Sequence, residues 1–161
     1  MQTFLTIRTF LPADAEALMA LVRELQAHER QFYDRMKQPA EIHAWYVDAL
    51  LKQCADEAGE ILIGEMEGTV IAYATIFTRA VCDEIDEIPF TFARVGDLAV
   101  TSVRRGQGIG KAMLAECERR ARAAGARWLR VASLAGNAQA RSTYRSFGFE
   151  EQFVSSEKRL D

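Results

Sequence analysis

The chain has 161 residues, enough for one sizeable core, so its length favours a single domain over residues 1–161. Hydrophobic residues make up 49% of the sequence and charged residues 27%, which is typical of a soluble globular protein. The net charge of −3 argues against a nucleic-acid-binding protein, since such proteins usually carry a basic surplus. No apolar run approaches the ~18 residues of a membrane span, and the first residues lack the features of a signal peptide. We therefore expect a cytoplasmic protein with no nucleic-acid or membrane partner.

The cysteines and histidines form no recognisable metal or catalytic pattern. Cys54, Cys82 and Cys117 are odd in number and widely spaced, which argues against a disulfide framework and against a zinc site. Cys117 lies in a helical stretch, where we expect it to fill the core. His28 and His43 have no Ser or Cys partner in a known motif, and we expect both on helix faces. The sequence therefore predicts no metal site.

The first half of the chain predicts a strand and two helices. Residues 3–10 are rich in β-branched and aromatic side chains and predict the first strand. Apolar residues with helical spacing after Pro12 predict a first helix. A second helix is predicted to begin near Pro39 and to end at Gly59. Its expected apolar side consists of Ile42, Trp45, Val47, Leu50 and Leu51.

A hairpin and an acidic connection follow these helices. Residues 60–78 contain two apolar runs around the turn-type pair Glu67-Gly68, a pattern that predicts an antiparallel hairpin. Residues 81–90 then form a connection with four acidic side chains, and 91–100 predict a further strand. The four acidic residues are Asp83, Glu84, Asp86 and Glu87.

The second half of the chain alternates helices and strands. A helix is predicted over 111–124, a short strand over 127–133, a short helix over 137–147 and terminal strand material over 149–160. The two helices are expected to stop at Gly125, as a left-handed cap, and at Gly148. A strand–helix–strand crossover favours a parallel pair, whereas the hairpin is antiparallel. The sequence thus predicts an α/β fold with a mixed, mostly antiparallel central sheet, one parallel strand pair and helices on both faces.

A glycine-rich stretch, RRGQGIGKAM at residues 104–113, separates the strand 91–100 from the helix that follows. It is not a Walker loop, because Ala112 stands where Ser or Thr is needed after Gly110-Lys111. It is not a dinucleotide fingerprint either, because Lys111 or Met113 stands where the last glycine is needed. A nucleotide triphosphatase and a nicotinamide enzyme are both disfavoured.

The remaining pattern, R-x-x-G-x-G in Arg105, Gly108 and Gly110, suits an anion. The first-turn amides of a helix have no internal partners, and the helix end carries roughly half a positive charge. Glycines let the backbone approach a ligand closely. By spacing alone, a glycine-rich turn without a ligand is an equal alternative.

Residues 91–150 resemble the GNAT superfamily of acetyl-CoA-dependent N-acetyltransferases. The resemblance rests on the R-x-x-G-x-G turn and on a second motif, N-x-x-A-x-x-x-Y-x-x-x-G-F. The second motif is matched by Asn137, Ala140, Tyr144, Gly148 and Phe149. The resemblance implies a GNAT-like fold and an acyltransferase that moves an acetyl group from acetyl-CoA to a primary amine, by direct attack of the amine on the thioester.

The resemblance also implies which residues hold acetyl-CoA. The backbone amides of the glycine turn hold the pyrophosphate, and the side chains of Arg104, Arg105 and Lys111 add positive charge. The pantetheine arm lies beside the strand end, and Asn137 both contacts this arm and caps the last helix. The implied contacts are Leu98, Ala99, Val100, Arg105, Gly106, Gln107, Gly108, Ile109, Gly110, Lys111 and Asn137.

Two residues are candidates for the proton transfers. Tyr144 matches the general acid of the family, which donates a proton to the leaving sulfur. The base is less defined, because Gly96 stands where some relatives carry a glutamate. The adjacent Asp97 is our candidate base, although strand alternation can turn it to the other face. Glu84 or Asp86, acting through water, is the alternative.

The acceptor is expected to be an amine of a small molecule or of a protein. It would enter near residues 28–38 and 82–90, where the acidic loop either attracts a cationic amine or is simply a solvated surface. A non-catalytic acyl-CoA-binding or sensing module is the alternative function. Transfer to oxygen, transfer of longer acyl groups and assembly as a homodimer remain open.

Overall fold

The computed structural model describes residues 4–161. Its elements are β1 (Thr6–Thr9), α1 (Ala15–Glu29), α2 (Ala44–Asp56), β2 (Gly59–Met66), β3 (Thr69–Cys82), β4 (Phe90–Val100), α3 (Ile109–Ala123), β5 (Leu129–Val131) and α4 (Ala138–Phe147). The strands form one sheet in the order β1-β2-β3-β4-β5. The β4–β5 pair is parallel and the other pairs are antiparallel, which confirms the predicted mixed sheet. Within residues 4–161, no helix combines the length and hydrophobicity needed to cross a membrane.

Helices pack on both faces of this sheet, as predicted. On one face, α1 and α2 bury Leu18, Val22 and Val47 against strand residues such as Ile63 and Tyr73. On the other face, α3 buries Met113, Leu114 and Cys117 against Leu62, Ala74 and Val95, and α4 packs its Tyr144 and Phe147 there. Cys117 therefore fills the core, and all three cysteines are buried and free of disulfides.

The predicted turns and helix ends are confirmed by backbone conformation. Glu67 and Gly68 have φ angles of +51° and +75°, which a tight hairpin turn with a twist matching its strands requires. Gly125 and Gly148 follow α3 and α4 with φ angles of +81° and +110°. The side chain of Asn137 caps α4, since its Oδ1 accepts a hydrogen bond from Ala140 N at 3.1 Å.

The prediction for α2 was wrong at both ends. Pro39 starts only a short 3₁₀ turn, Pro39–Glu41, because the next residues return to extended backbone. Ile42 is buried there, and its carbonyl accepts a hydrogen bond from Arg23 Nε at 2.9 Å. The helix ends at Asp56, and Gly59 opens β2.

The predicted apolar side of α2 was wrong in part. Val47, Leu50 and Cys54 follow the helical period and face the core, whereas Trp45 and Leu51 lie off this stripe and are 45% and 42% exposed.

The predicted strands at the two chain ends also need correction. The first strand is limited to Thr6–Thr9, and Thr3, at its predicted start, lies outside the described residues. The terminal strand predicted over 149–160 was wrong, because residues 150–161 are exposed and form no strand. This segment is rich in acidic residues and serines and has no alternating apolar face to bury. Its Phe153 instead lies 5.0 Å from the guanidinium of Arg130.

A bulge in β4 sets the direction of the residues that follow it. Val95 pairs with Ile76 and Leu98 pairs with Ala74, so Gly96 and Asp97 together oppose Thr75. The amide of Asp97 donates a hydrogen bond to Thr75 Oγ1 at 2.7 Å.

Position 96 within the bulge has no room for a side chain. A Cβ on Gly96 would lie 2.4 Å from Thr75 Oγ1 and 2.8 Å from Phe77 Cε2. The glutamate that some relatives carry there would collide with both groups.

We expect Gly96→Ala to lower the free energy of unfolding by about 1–3 kcal/mol, because the added methyl overpacks a site that is already full. Urea unfolding followed by circular dichroism measures this change. Gly110→Ala is the matched control, since its Cβ meets only Val100 Cγ2, at 4.0 Å, and the variant should lose no stability. A Gly96→Ala protein as stable as wild type would contradict this account.

Candidate functional site

A cleft of about 420 Å³ opens where β4 and β5 part. These strands pair only from Ala93 to Val95, so the remainder of β4 has a free edge on that side. The cleft is walled by the end of α1, the second half of β4, the glycine turn and α4. Asp97, Tyr144 and every residue implied to contact acetyl-CoA line this cleft, except Gln107, which is exposed.

The glycine turn offers a row of free backbone donors. Gly106 and Gly108 have φ angles of +75° and +81°, with open space where a Cβ would lie. Ala112 is the first residue of α3 whose amide is satisfied, donating to Gly108 O at 3.1 Å. The six amides from Gly106 to Lys111 donate no hydrogen bond to any group of residues 4–161. Such a row at a helix N-terminus fits an anion, and a diphosphate in particular.

The glycine turn is held in position by contacts with α1. Arg105 Nε donates to Val100 O at 3.0 Å, and its guanidinium lies 3.9 Å from the carboxylate of Glu24. Glu24 also accepts hydrogen bonds from Ser102 N and Thr101 Oγ1. Arg105 therefore fixes the end of β4, whereas Arg104 and Lys111 line the cleft without an ion pair to residues 4–161.

The opposite end of the cleft is acidic. Asp97 Oδ2 accepts hydrogen bonds from Tyr46 Oη at 2.9 Å and from Tyr73 Oη at 3.0 Å. Burial raises the pKa of Asp97, although these two hydrogen bonds oppose the shift. Burial, and then the charge of Asp97, raises the pKa of both tyrosines, so both remain protonated donors. The bulge places Asp97 in the cleft, whereas strand alternation alone left its direction open.

Tyr144 has both a packed ring and a free hydroxyl. Its ring meets Phe149 edge-on, with 5.9 Å between centroids. Its hydroxyl forms no hydrogen bond with the described part of the chain, and Tyr144 lines the cleft. Burial raises the pKa of this phenol to about 12, with smaller contributions from Glu29 and Asp97. The phenol is therefore protonated at neutral pH and can donate a proton.

Sequence reasoning expected the acceptor near residues 28–38 but did not single out the side chains at the end of α1. Glu29 and His28 both line the cleft, in the last turn of this helix. Burial, and then the charge of Asp97, raises the pKa of Glu29. Burial, and then the charge of Arg105, lowers the pKa of His28. Leu25 also lines the cleft, and its spacing of four from Glu29 was the available signal that the two share a helix face.

The acidic loop before β4 does not reach this cleft. Asp83, Glu84, Asp86 and Glu87 are exposed and lie beyond the other end of β4. About 23 Å of strand separates Phe90 from Asp97. Glu84 and Asp86 therefore cannot serve as the base through a single water. No cluster of potential metal ligands occurs in the described residues.

Comparison with known proteins agrees with this architecture. The model of the Acetyltransferase (GNAT) family matches residues 18–149. A mutant of the BH1408 protein from Bacillus halodurans is 21% identical, with a TM-score of 0.84 over 96% of this chain and 99% of that chain. No curated protein sequence gives a significant match.

Two further structures share the fold. AAC(6')-Iy, in complex with the bisubstrate analogue CoA-S-monomethyl-acetylneamine, is 17% identical, with a TM-score of 0.71 over 98% of this chain and 99% of that chain. Ribosomal-protein-alanine N-acetyltransferase from Brucella melitensis is 26% identical, with a TM-score of 0.71 over 92% of this chain and 86% of that chain. Because a family model covers most of the sequence and the fold agrees, this chain belongs to the GNAT acetyltransferase family.

Proposed function

We propose that this acetyltransferase moves the acetyl group of acetyl-CoA to a primary amine of a small molecule or a protein. The observation that carries the proposal is the row of six free amides from Gly106 to Lys111, which opens into the same cleft as the free hydroxyl of Tyr144. The CoA-containing analogue bound to AAC(6')-Iy, a protein of the same fold, supports this choice of donor. When bound, acetyl-CoA supplies an activated thioester for attack by the amine.

The chain's own groups suit each part of the donor. The free amides and the helix dipole stabilise the diphosphate, and Lys111 and Arg104 add positive charge at that end. The free edge of β4 at Leu98–Val100 offers backbone groups to the pantetheine arm, beside the buried Asn137. Arg105 lines the cleft and fixes the end of β4 by donating a hydrogen bond to Val100 O.

The polar groups at the other end suit an amine. Asp97 contributes negative charge that attracts an ammonium group. Tyr144 keeps its proton at neutral pH and donates it to sulfur as coenzyme A leaves. A cleft that is basic at one end and acidic at the other is complementary to an anionic donor and a cationic acceptor.

The test is an acetyl-CoA assay over a panel of primary amines, in which thiol release is measured alongside binding of acetyl-CoA by calorimetry. We expect binding, and thiol release that depends on the amine. The panel should include alkylamines, aminosugars and peptides with a free N-terminus. Binding without release from any amine would favour a non-catalytic acyl-CoA sensor and contradict the proposed transfer.

Gly110→Ala tests the amide row. Alanine favours a helix over glycine by about 1 kcal/mol, so we expect this variant to be at least as stable as wild type. Its methyl group would lie in the first turn of α3, 4.0 Å from Val100 Cγ2 on the lining of the cleft, so we expect it to displace a diphosphate held by these amides and to raise the Kd for acetyl-CoA about tenfold or more. Calorimetry and thermal unfolding measure the two effects on the same samples. Unchanged affinity would show that the ligand does not approach this turn.

Tyr144→Phe tests the proton donor. We expect kcat to fall about 10²-fold, with the Kd for acetyl-CoA within twofold of wild type, because only the hydroxyl is lost and the ring still packs on Phe149. Steady-state thiol release and calorimetry separate the two quantities. Ser146→Ala is the control, since it also removes one hydroxyl from α4, at an exposed position outside the cleft, and should keep wild-type turnover. If Tyr144→Phe kept the wild-type kcat with every amine that is accepted, Tyr144 would not be the proton donor.

A further inference from the structure

Glu29 is a carboxylate without a partner in the wall of the cleft. It is the last residue of α1 and is half-buried. Within residues 4–161 its side chain forms no hydrogen bond and no ion pair. The other carboxylates nearby are engaged: Glu24 with the glycine turn, and Asp97 with two phenols. Its oxygens are open to solvent in the cleft, so Glu29 is free to act on a ligand.

The groups that face Glu29 favour proton uptake. Burial, and then the negative charge of Asp97 on β4, raises the pKa of Glu29. Tyr46 on α2, Tyr73 on β3 and Tyr144 on α4 are neutral phenols, because burial and the two carboxylates raise the pKa of each. Within residues 4–161, no basic side chain forms an ion pair with Glu29 or lowers its pKa.

The positively charged side chains around the cleft are paired with other carboxylates or lie at its phosphate end. Arg94, which lowers the pKa of Asp97, is paired with Glu57. Burial, and then the charge of Arg105, lowers the pKa of His28, which favours the neutral imidazole. Arg104 and Lys111 belong to the phosphate end.

We propose that Glu29 is the catalytic base of this transferase and accepts the proton that the acceptor ammonium must lose, while the negative charge of Asp97 attracts the ammonium into the cleft. The inference rests on the proposed function. It replaces Asp97 as the candidate base, because two phenol hydroxyls already stabilise the anionic form of Asp97 and occupy its Oδ2. Glu29, at the rim, can return its proton to solvent.

An ammonium gives one proton to Glu29, and the neutral nitrogen forms a C–N bond to the acetyl carbon as the C–S bond breaks. The sulfur takes a proton from Tyr144, and Tyr144 is reprotonated by the second proton that the nitrogen loses. Glu29 releases its proton to water. One ammonium and one thioester thus yield one amide, one thiol and one proton.

The kinetic test compares Glu29→Gln with wild type on two acceptors. For an alkylamine of pKa near 10, we expect kcat/KM at pH 7 to fall about 10²-fold or more. For methoxyamine, which is largely neutral at pH 7 and needs no base, the loss should be under tenfold. Glu29→Asp should restore part of the alkylamine rate. Glu16→Gln, at the exposed start of the same helix, should behave as wild type.

The pH profile has a direction fixed by the chemistry. Wild-type kcat/KM should fall as pH drops through the raised pKa of Glu29, because the base must be ionised. In Glu29→Gln this limb disappears, and kcat/KM should rise steadily with pH up to the pKa of the amine itself.

A direct titration needs neither substrate nor turnover. With carbon-13-labelled glutamate, NMR should show that the pKa of Glu29 lies above the usual value of a glutamate, and that Asp97→Asn lowers it. A Glu29 pKa that is ordinary and unaffected by Asp97→Asn would overturn the inference, even if Glu29→Gln failed to fold. A folded Glu29→Gln variant whose alkylamine rate and pH profile match those of wild type would also overturn the inference. Absence of acetyl-CoA binding by wild type would instead overturn the proposed function.

Discussion

Backbone amides with no partner among the described residues, from Gly106 to Lys111, are the feature on which the rest of this structure depends. They are free because a helix cannot satisfy its first turn, and because Gly106 and Gly108 adopt left-handed conformations that other residues avoid. Their direction is fixed by the end of β4, which Arg105 and Glu24 tie to α1. The anion site is thus a consequence of where a strand ends and a helix begins.

The second constraint is the bulge in β4. One extra residue opposite Thr75 requires glycine at position 96 and brings Asp97 into the cleft, where Tyr46 and Tyr73 hold it. The same strand therefore carries negative charge at the bulge and leads to the free amides at its end. Because α1 supplies Glu24 to the turn and Glu29 to the acidic end, one helix positions both halves of the cleft.

Local patterns in the sequence predicted the parts of this molecule that are local. The turn at Glu67-Gly68, the cap by Asn137 and the glycine turn depend on residues close in sequence, and each was predicted from spacing. The direction of Asp97 was not, because it depends on a bulge defined by a neighbouring strand. The partners Tyr46 and Tyr73 come from other elements and left no signal around position 97.

Errors in the sequence-based prediction have the same origin. The four acidic residues in the loop before β4 suggested an acceptor site, but this loop lies at the far end of β4 from the cleft. Glu29 went unnoticed because one carboxylate at a helix end has no motif, and only the packing of α1 against β4 brings it near Asp97. Pro39 indicated a helix start, but Ile42 turns inward and delays α2 to Ala44.

The most direct test of the central claim is an amide NMR titration of nitrogen-15-labelled protein with coenzyme A. The account predicts that the amide signals of Gly106, Gly108 and Gly110 shift strongly with saturation, while those of Gly68 and Gly125, turn glycines outside the cleft, do not. If coenzyme A binds but the three signals of the glycine turn stay in place, the amides do not hold the diphosphate and the account is wrong.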